Sequence, residues 1–126
     1  MKQFVMGILL AIVSSSAYAH EMVPTYPTLV PSHLDGIVKT TVQMFNKRED
    51  VEYYEIGVFD ENFKPIPFVT SYSIIKIEYL GKATIDVYIR RKDIEKATYI
   101  CSQSKLRKDD TSRTAVSSMI CSKFRK

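Results

Sequence analysis

Residues Phe45 to Phe68 read FNKREDVEYYEIGVFDENFKPIPF, and this stretch decides the fold. Asn46 to Asp50 is a polar turn. The chain then enters a strand in which Tyr54, Ile56 and Val58 alternate with Glu55, Gly57 and Phe59. A period of two sends successive side chains to opposite faces of a sheet. The strand stops at Asp60-Glu61-Asn62. Pro65 and Pro67 lack a backbone donor, which keeps the following run out of a sheet interior and reads as an edge crossing.

The same period recurs on both sides. Upstream, Ile37 to Phe45 sets Val38, Thr40, Val42 and Met44 on one face and Lys39, Thr41 and Gln43 on the other. It is expected to pair with or neighbour the Val51–Phe59 strand. Before it, His20 to Gly36 carries Pro24, Pro27 and Pro31 and predicts a broken first strand on an edge. Downstream, Thr70 to Leu80 predicts a strand with Ile75, Ile77 and Tyr79 on one face, closed by a Leu80-Gly81-Lys82 turn. Ala83, Ile85, Val87 and Ile89 alternate with Thr84, Asp86, Tyr88 and Arg90, the cleanest strand signal in the chain. Arg90 to Lys96 is a charged loop with room for one helical turn, and Thr98–Ser104 and Thr114–Phe124 complete the series. Short strands at regular intervals without a convincing helix predict an all-β, Ig-like sandwich of about seven antiparallel strands.

The first nineteen residues stand apart. Lys2, the apolar run Phe4 to Val13 and Ala17-Tyr18-Ala19 have the three parts of a signal peptide. The expected division is a signal peptide over 1–19 and one domain over 20–126, exported to the periplasm or secreted. After cleavage the chain is not expected to be an integral membrane protein. The net charge of +4 is uneven, because residues 105–126 hold seven Lys and Arg against Asp109 and Asp110. That end could meet an acidic partner, or simply be a solvated hairpin and tail. Four glycines leave no phosphate cradle, and no nucleophile elbow, paired-carboxylate motif or zinc spacing is present. The expectation is a protein without catalytic residues or a cofactor, which does not bind nucleic acid.

Only Cys101 and Cys121 can form a disulfide. If they face each other in an antiparallel hairpin, Tyr99 faces Lys123 and Gln103 faces Met119. The centre then falls at Thr111, inside a polar run suited to a loop. An exported chain permits such a bridge. On the last strand, Val116, Ser118, Ile120, Ser122 and Phe124 share one face, and Met119, Cys121 and Lys123 lie on the other. An apolar row on a terminal strand can serve strand addition to another chain, or can fill the domain's own core.

The order of the "F-N" strand end, the "Y-x-I-x-V-F-D" strand and the "K-P-I-P-F" run resembles the N-terminal domain of periplasmic pilus-assembly (PapD-like) chaperones. The resemblance spans residues 37–126. It implies that the last strand engages a pilus-type subunit, and that Cys101–Cys121 staples the last two strands as in one branch of the family. It also implies that Lys123 stands where a family lysine meets the subunit's C-terminal carboxylate. The partner-binding residues expected on this basis are Val116, Ile120, Lys123 and Phe124. The family's first-strand arginine has no counterpart, since residues 20–36 hold no arginine. Two other functions fit the same residues. One is a secreted or virion-associated structural or adhesion-type Ig-like domain. The other is a copper protein, in which cleavage after Ala19 frees the His20 amine and imidazole to chelate Cu(II) with His33 as a further ligand.

Overall fold

The computed structural model describes residues 20–105 and 118–126. The expected signal peptide, Val116 and the loop centred on Thr111 lie outside them. Nine strands occur among the described residues: β1 His20–Val23, β2 Val30–Pro31, β3 Ile37–Asn46, β4 Tyr53–Phe59, β5 Val69–Thr70, β6 Ile74–Lys76, β7 Lys82–Arg90, β8 Tyr99–Lys105 and β9 Met119–Lys123. One antiparallel sheet runs β1-β3-β7-β5, with β2 sharing β3's outer edge, and the other runs β6-β4-β8-β9. The all-β sandwich expected from the alternation is present. The count exceeds seven because the first strand is split into β1 and β2 around a cis Val23–Pro24 bond, and the segment after β4 is split into β5 and β6.

The inward faces follow the sequence pattern. Val38, Thr40, Val42 and Met44 of β3, Tyr54, Ile56 and Val58 of β4, and Ile85, Val87 and Ile89 of β7 are buried. They interdigitate across the two sheets with Ile100 of β8 and Phe124 just after β9. The short 3-10 helix Arg91–Asp93 fills the charged loop, held by the Arg90–Asp93 ion pair.

Two expectations are corrected. β4 neither pairs with nor neighbours β3 in a sheet; it lies in the opposite sheet between β6 and β8. Both strands present period-two faces to the same core, so alternation alone cannot say whether they are side by side or face to face. Thr70–Leu80 is not one strand either. β5 pairs with β7 in one sheet and β6 with β4 in the other, with Ser71-Tyr72-Ser73 crossing between them. Tyr79, expected in phase with Ile75 and Ile77, lies exposed in the turn before β7. That turn needs positive φ at Leu80 and closes with Gly81 N–H donating to Glu78 O.

The core sets two stability predictions. Val87 is fully buried, so Val87→Asp places an unpaired carboxylate between the sheets and should cost roughly 3–5 kcal/mol. The Thr40 hydroxyl is buried without a hydrogen-bond partner among the described residues, at the position facing Val87 across the β3–β7 ladder. Thr40→Val removes an orphaned polar group at nearly constant shape and should raise stability by about 1 kcal/mol. Urea unfolding of both variants checks the two signs together.

Candidate functional site

β9 is built as an edge. It pairs with β8 in the register Tyr99–Lys123, Cys101–Cys121 and Gln103–Met119, as the cysteine spacing predicts. The Cys101–Cys121 disulfide crosses the ladder with the two Cα atoms 4.0 Å apart. Closing a chain separation of 20 residues restricts the unfolded ensemble by about 3 kcal/mol in the chain-entropy model. Ser104 N–H donates to Ser118 O, and Phe124 N–H donates to Thr98 O. Antiparallel ladders alternate, so the backbone groups of Met119, Cys121 and Lys123 point away from β8. Arg125 continues that outward series, and its N–H donates to Pro27 O at 2.9 Å. Thr28 forms a parallel bridge to the same residue. The segment between β1 and β2 therefore caps the far end of the β9 edge. Along Met119–Lys123 no strand pairs with that edge among the described residues, and β1 passes alongside without a ladder bond.

The expected partner-binding residues divide. Lys123 is exposed on the outer face with Met119 and Cys121, and it lines a cleft of about 760 Å³ at the end of β9. The turn after β4 supplies Asp60, Glu61 and Asn62 to this cleft, and the segment after the 3-10 helix supplies Glu95, Lys96 and Thr98. Asp60 is occupied: its Oδ1 accepts the N–H groups of Asn62 and Lys64. That turn places Phe63, at φ 60, with its ring stacked on Tyr99 at 4.6 Å. Lys126 Nζ donates to Glu95 O at 2.6 Å. The cleft is thus lined by Lys96, Lys123 and Lys126 together with Asp60, Glu61 and Glu95. Phe124 is only 3 % exposed and belongs to the core, and Ile120 is half-buried against it. The face carrying Ile120, Ser122 and Phe124 points into the sandwich.

His20 and His33 are not brought together. His20 faces Asn46 at the end of β3, while His33 lies in the turn before β3 begins at Ile37, roughly 30 Å away at strand rise. Among the described residues no group of three or more His, Cys, Asp or Glu side chains could hold a metal ion. The His20 ring is buried between the sheets against the Tyr54 ring, with centroids 4.5 Å apart. Its Nε2 lies 3.2 Å from Ser102 O and 2.7 Å from Ser102 Oγ, and its Nδ1 lies 3.3 Å from Ser118 Oγ. The Ser102 carbonyl can only accept, so it bonds to the ring when Nε2 carries the proton, whereas the two serine hydroxyls can serve either tautomer. Burial lowers the His20 pKa below 6.5, the Ser102 hydrogen bond partly offsets this, and the Arg48 charge adds to the lowering.

Tyr54 continues the network. Burial pushes its phenol up to about 12, and its hydroxyl donates to Asn46 Oδ1. Asn46 Nδ2 donates to Val51 O and Ile77 O at 2.7 and 2.8 Å. Reading Asn46 as part of a polar turn missed this role. The available signal was phase, because Asn46 continues the inward series Val38, Thr40, Val42 and Met44.

Comparison with solved structures places this geometry. The E. coli chaperone DraB superposes with a TM-score of 0.60 at 13 % identity, over 84 % of this chain and 53 % of that one. The fold is PapD-like. An ASH/PapD-like domain of human CEP192 gives a TM-score of 0.55 at 9 % identity, over 98 % of this chain and 94 % of that domain. The chain thus spans about half the length of DraB. No protein-family model matches the sequence, and comparison with curated proteins finds no match. The similarity is carried by fold, as expected where sandwich strands constrain little beyond alternation.

The buried imidazole predicts a pH dependence. A folded pKa below 6.5 means that the unfolded chain binds the proton more readily. The stability tied to neutral His20 is therefore fully present above pH 6.5 and is lost as pH falls from there toward the folded pKa. Urea unfolding at about pH 7.5 and about pH 5 should show a larger loss for the natural chain than for His20→Gln, which does not titrate.

Proposed function

We propose that the protein is an exported, non-enzymatic binding module that holds a partner polypeptide by β-strand addition along β9, as a periplasmic chaperone domain would hold a pilus-type subunit. The observation that carries the reading is the outward backbone of Met119, Cys121 and Lys123, which no strand pairs among the described residues, on a strand fixed to its neighbour by the Cys101–Cys121 bridge. An added strand would take its affinity from those backbone groups. Lys123 stands exposed at the end of that edge, beside the cleft, where its ammonium would meet a carboxylate of the partner. With Phe124 in the core and Ile120 half-buried, register would come from the backbone and the exposed Met119 and Lys123 side chains. Supporting this, DraB is a chaperone with the same fold, and a disulfide fits an oxidising compartment.

Proline at Met119 is the direct test. Met119 opens β9, is 53 % exposed and points its N–H away from β8. Met119→Pro therefore removes one outward donor while leaving the β8–β9 ladder intact. Capture of partners from periplasmic extract should fall well below that of the natural protein, with a melting temperature within a few degrees of it. Lys123→Ala should weaken capture of a partner with a free C-terminus more than of one with an amidated end. Undiminished capture by Met119→Pro, per folded molecule, would overturn the strand-addition reading.

A further inference from the structure

The four residues of β1 are held unevenly. Asn46 uses its backbone N–H and carbonyl toward Gly81 and Leu80, on the side away from β1. Ladder alternation therefore gives the bonds between β3 and β1 to Phe45 and Gln43, whose partners are Glu21 and Val23. His20 faces Asn46, so no ladder bond ties its end of β1 to β3. What holds that end is the imidazole. It reaches across the core to the opposite sheet, where it meets Ser102 of β8, the Tyr54 ring of β4 and the Ser118 hydroxyl just before β9. β1 runs alongside β9, and the His20 ring closes the seam between them at this end.

The surroundings of the ring favour its neutral form. His20 is only 3 % exposed. Burial opposes a charge there most strongly, the Ser102 hydrogen bond favours one, and the Arg48 charge opposes it. Each neighbouring element supplies a defined group. β8 offers a carbonyl and a hydroxyl, and Ser118 a second hydroxyl. β4 offers the Tyr54 ring, whose hydroxyl is bound to the neutral Asn46 carboxamide of β3. The turn after β3 holds Arg48, paired with Asp50, and Lys47 pairs with Glu21 on the exposed side of β1. Among the described residues no carboxylate is bonded to the ring. The Ser118 hydroxyl can turn to accept from a protonated Nδ1, but it brings no charge to balance an imidazolium. A buried cation without a counter-ion is costly, and moving the ring into water relieves that cost.

We propose that His20 is a proton-sensitive latch: on taking up a proton its ring leaves the core, and the start of β1 comes away from Ser102 and Ser118. The seam beside β9 then opens at its Ser118 end, where a strand approaching Met119 would enter. The use of that opening by a partner rests on the strand-addition reading; the release of β1 does not.

Amide hydrogen exchange followed by NMR tests the latch on the oxidised natural protein and on His20→Gln, which keeps a hydrogen-bonding side chain and does not titrate. The reporters are Glu21 and Val23, with Ile85 as the reference because it faces Val42 inside the β3–β7 ladder. Between about pH 7.5 and about pH 5, with intrinsic exchange rates allowed for, protection at Glu21 and Val23 should fall about tenfold or more beyond any change at Ile85. In His20→Gln the three amides should change together. The midpoint of the release should follow the NMR titration of the His20 ring and not that of His33, which is exposed. Glu21 and Val23 falling in step with Ile85 in the natural protein would overturn the proposal, because acid would then be unfolding the whole domain. So would a release that persists in His20→Gln, or one whose midpoint does not follow His20. No partner enters this measurement, so its failure leaves strand addition along β9 standing.

Discussion

One carboxamide holds the polar end of this sandwich together. Asn46 is fully buried, and all four of its side-chain hydrogen-bonding positions are used. Nδ2 serves Val51 O and Ile77 O, and Oδ1 accepts from Tyr54 OH and Arg48 N–H. Its main chain is tied as well, with Asn46 N–H donating to Gly81 O and Leu80 N–H donating to Asn46 O. These partners come from β4 of the opposite sheet, from the end of β6 and from the two turns that join the sheets. Loss of the carboxamide would leave buried carbonyls and a buried phenol unpaired, each costing about 1–3 kcal/mol. The turn into β4, the end of β6 and the entry to β7 all depend on this one residue.

The network then reaches the chain's first strand. Tyr54 packs on His20, and His20 bonds to Ser102 of β8 and Ser118 beside β9. Three small buried serines, Ser102, Ser104 and Ser122, leave room in the core for an imidazole and a phenol. β1 is thus held from inside by its ring and from outside by its ladder to β3. Between β1 and β9 lies a seam without a ladder bond among the described residues, bridged at one end by His20 to Ser118 and at the other by Pro27 and Thr28 against Arg125. The interior polar chemistry and the open β9 edge are two consequences of the same arrangement.

Alternation made the inward faces of β3, β4 and β7 legible, because burial on one side leaves a period-two trace. The β8–β9 register was legible too, since a single cysteine pair fixes it. Sheet membership was not, as β4 shows: a strand facing β3 across the core and a strand beside it carry the same pattern. The break between β5 and β6 left a trace that alternation alone passed over, because Ser71 and Ser73 fall in phase with Ile75 and Ile77 and interrupt that apolar face. For the candidate site, Lys123 was singled out by the family resemblance and by its place near the strand's end, on the face opposite Ile120 and Phe124. The sharing of Ile120 and Phe124 with the core depended on which face of β9 turns inward, which alternation leaves undetermined. His20 and Asn46 read as polar ends of segments, although both sit in phase with buried neighbours.

The bridge between β8 and β9 also bears on endurance against proteolysis. It joins residues 101 and 121, which bracket the connection between the two strands. A protease that cut this connection would divide the polypeptide without freeing β9. The severed piece would remain covalently attached to β8 and keep its ladder bonds. Integrity of the edge is thereby uncoupled from integrity of the backbone beside it, provided the surroundings stay oxidising.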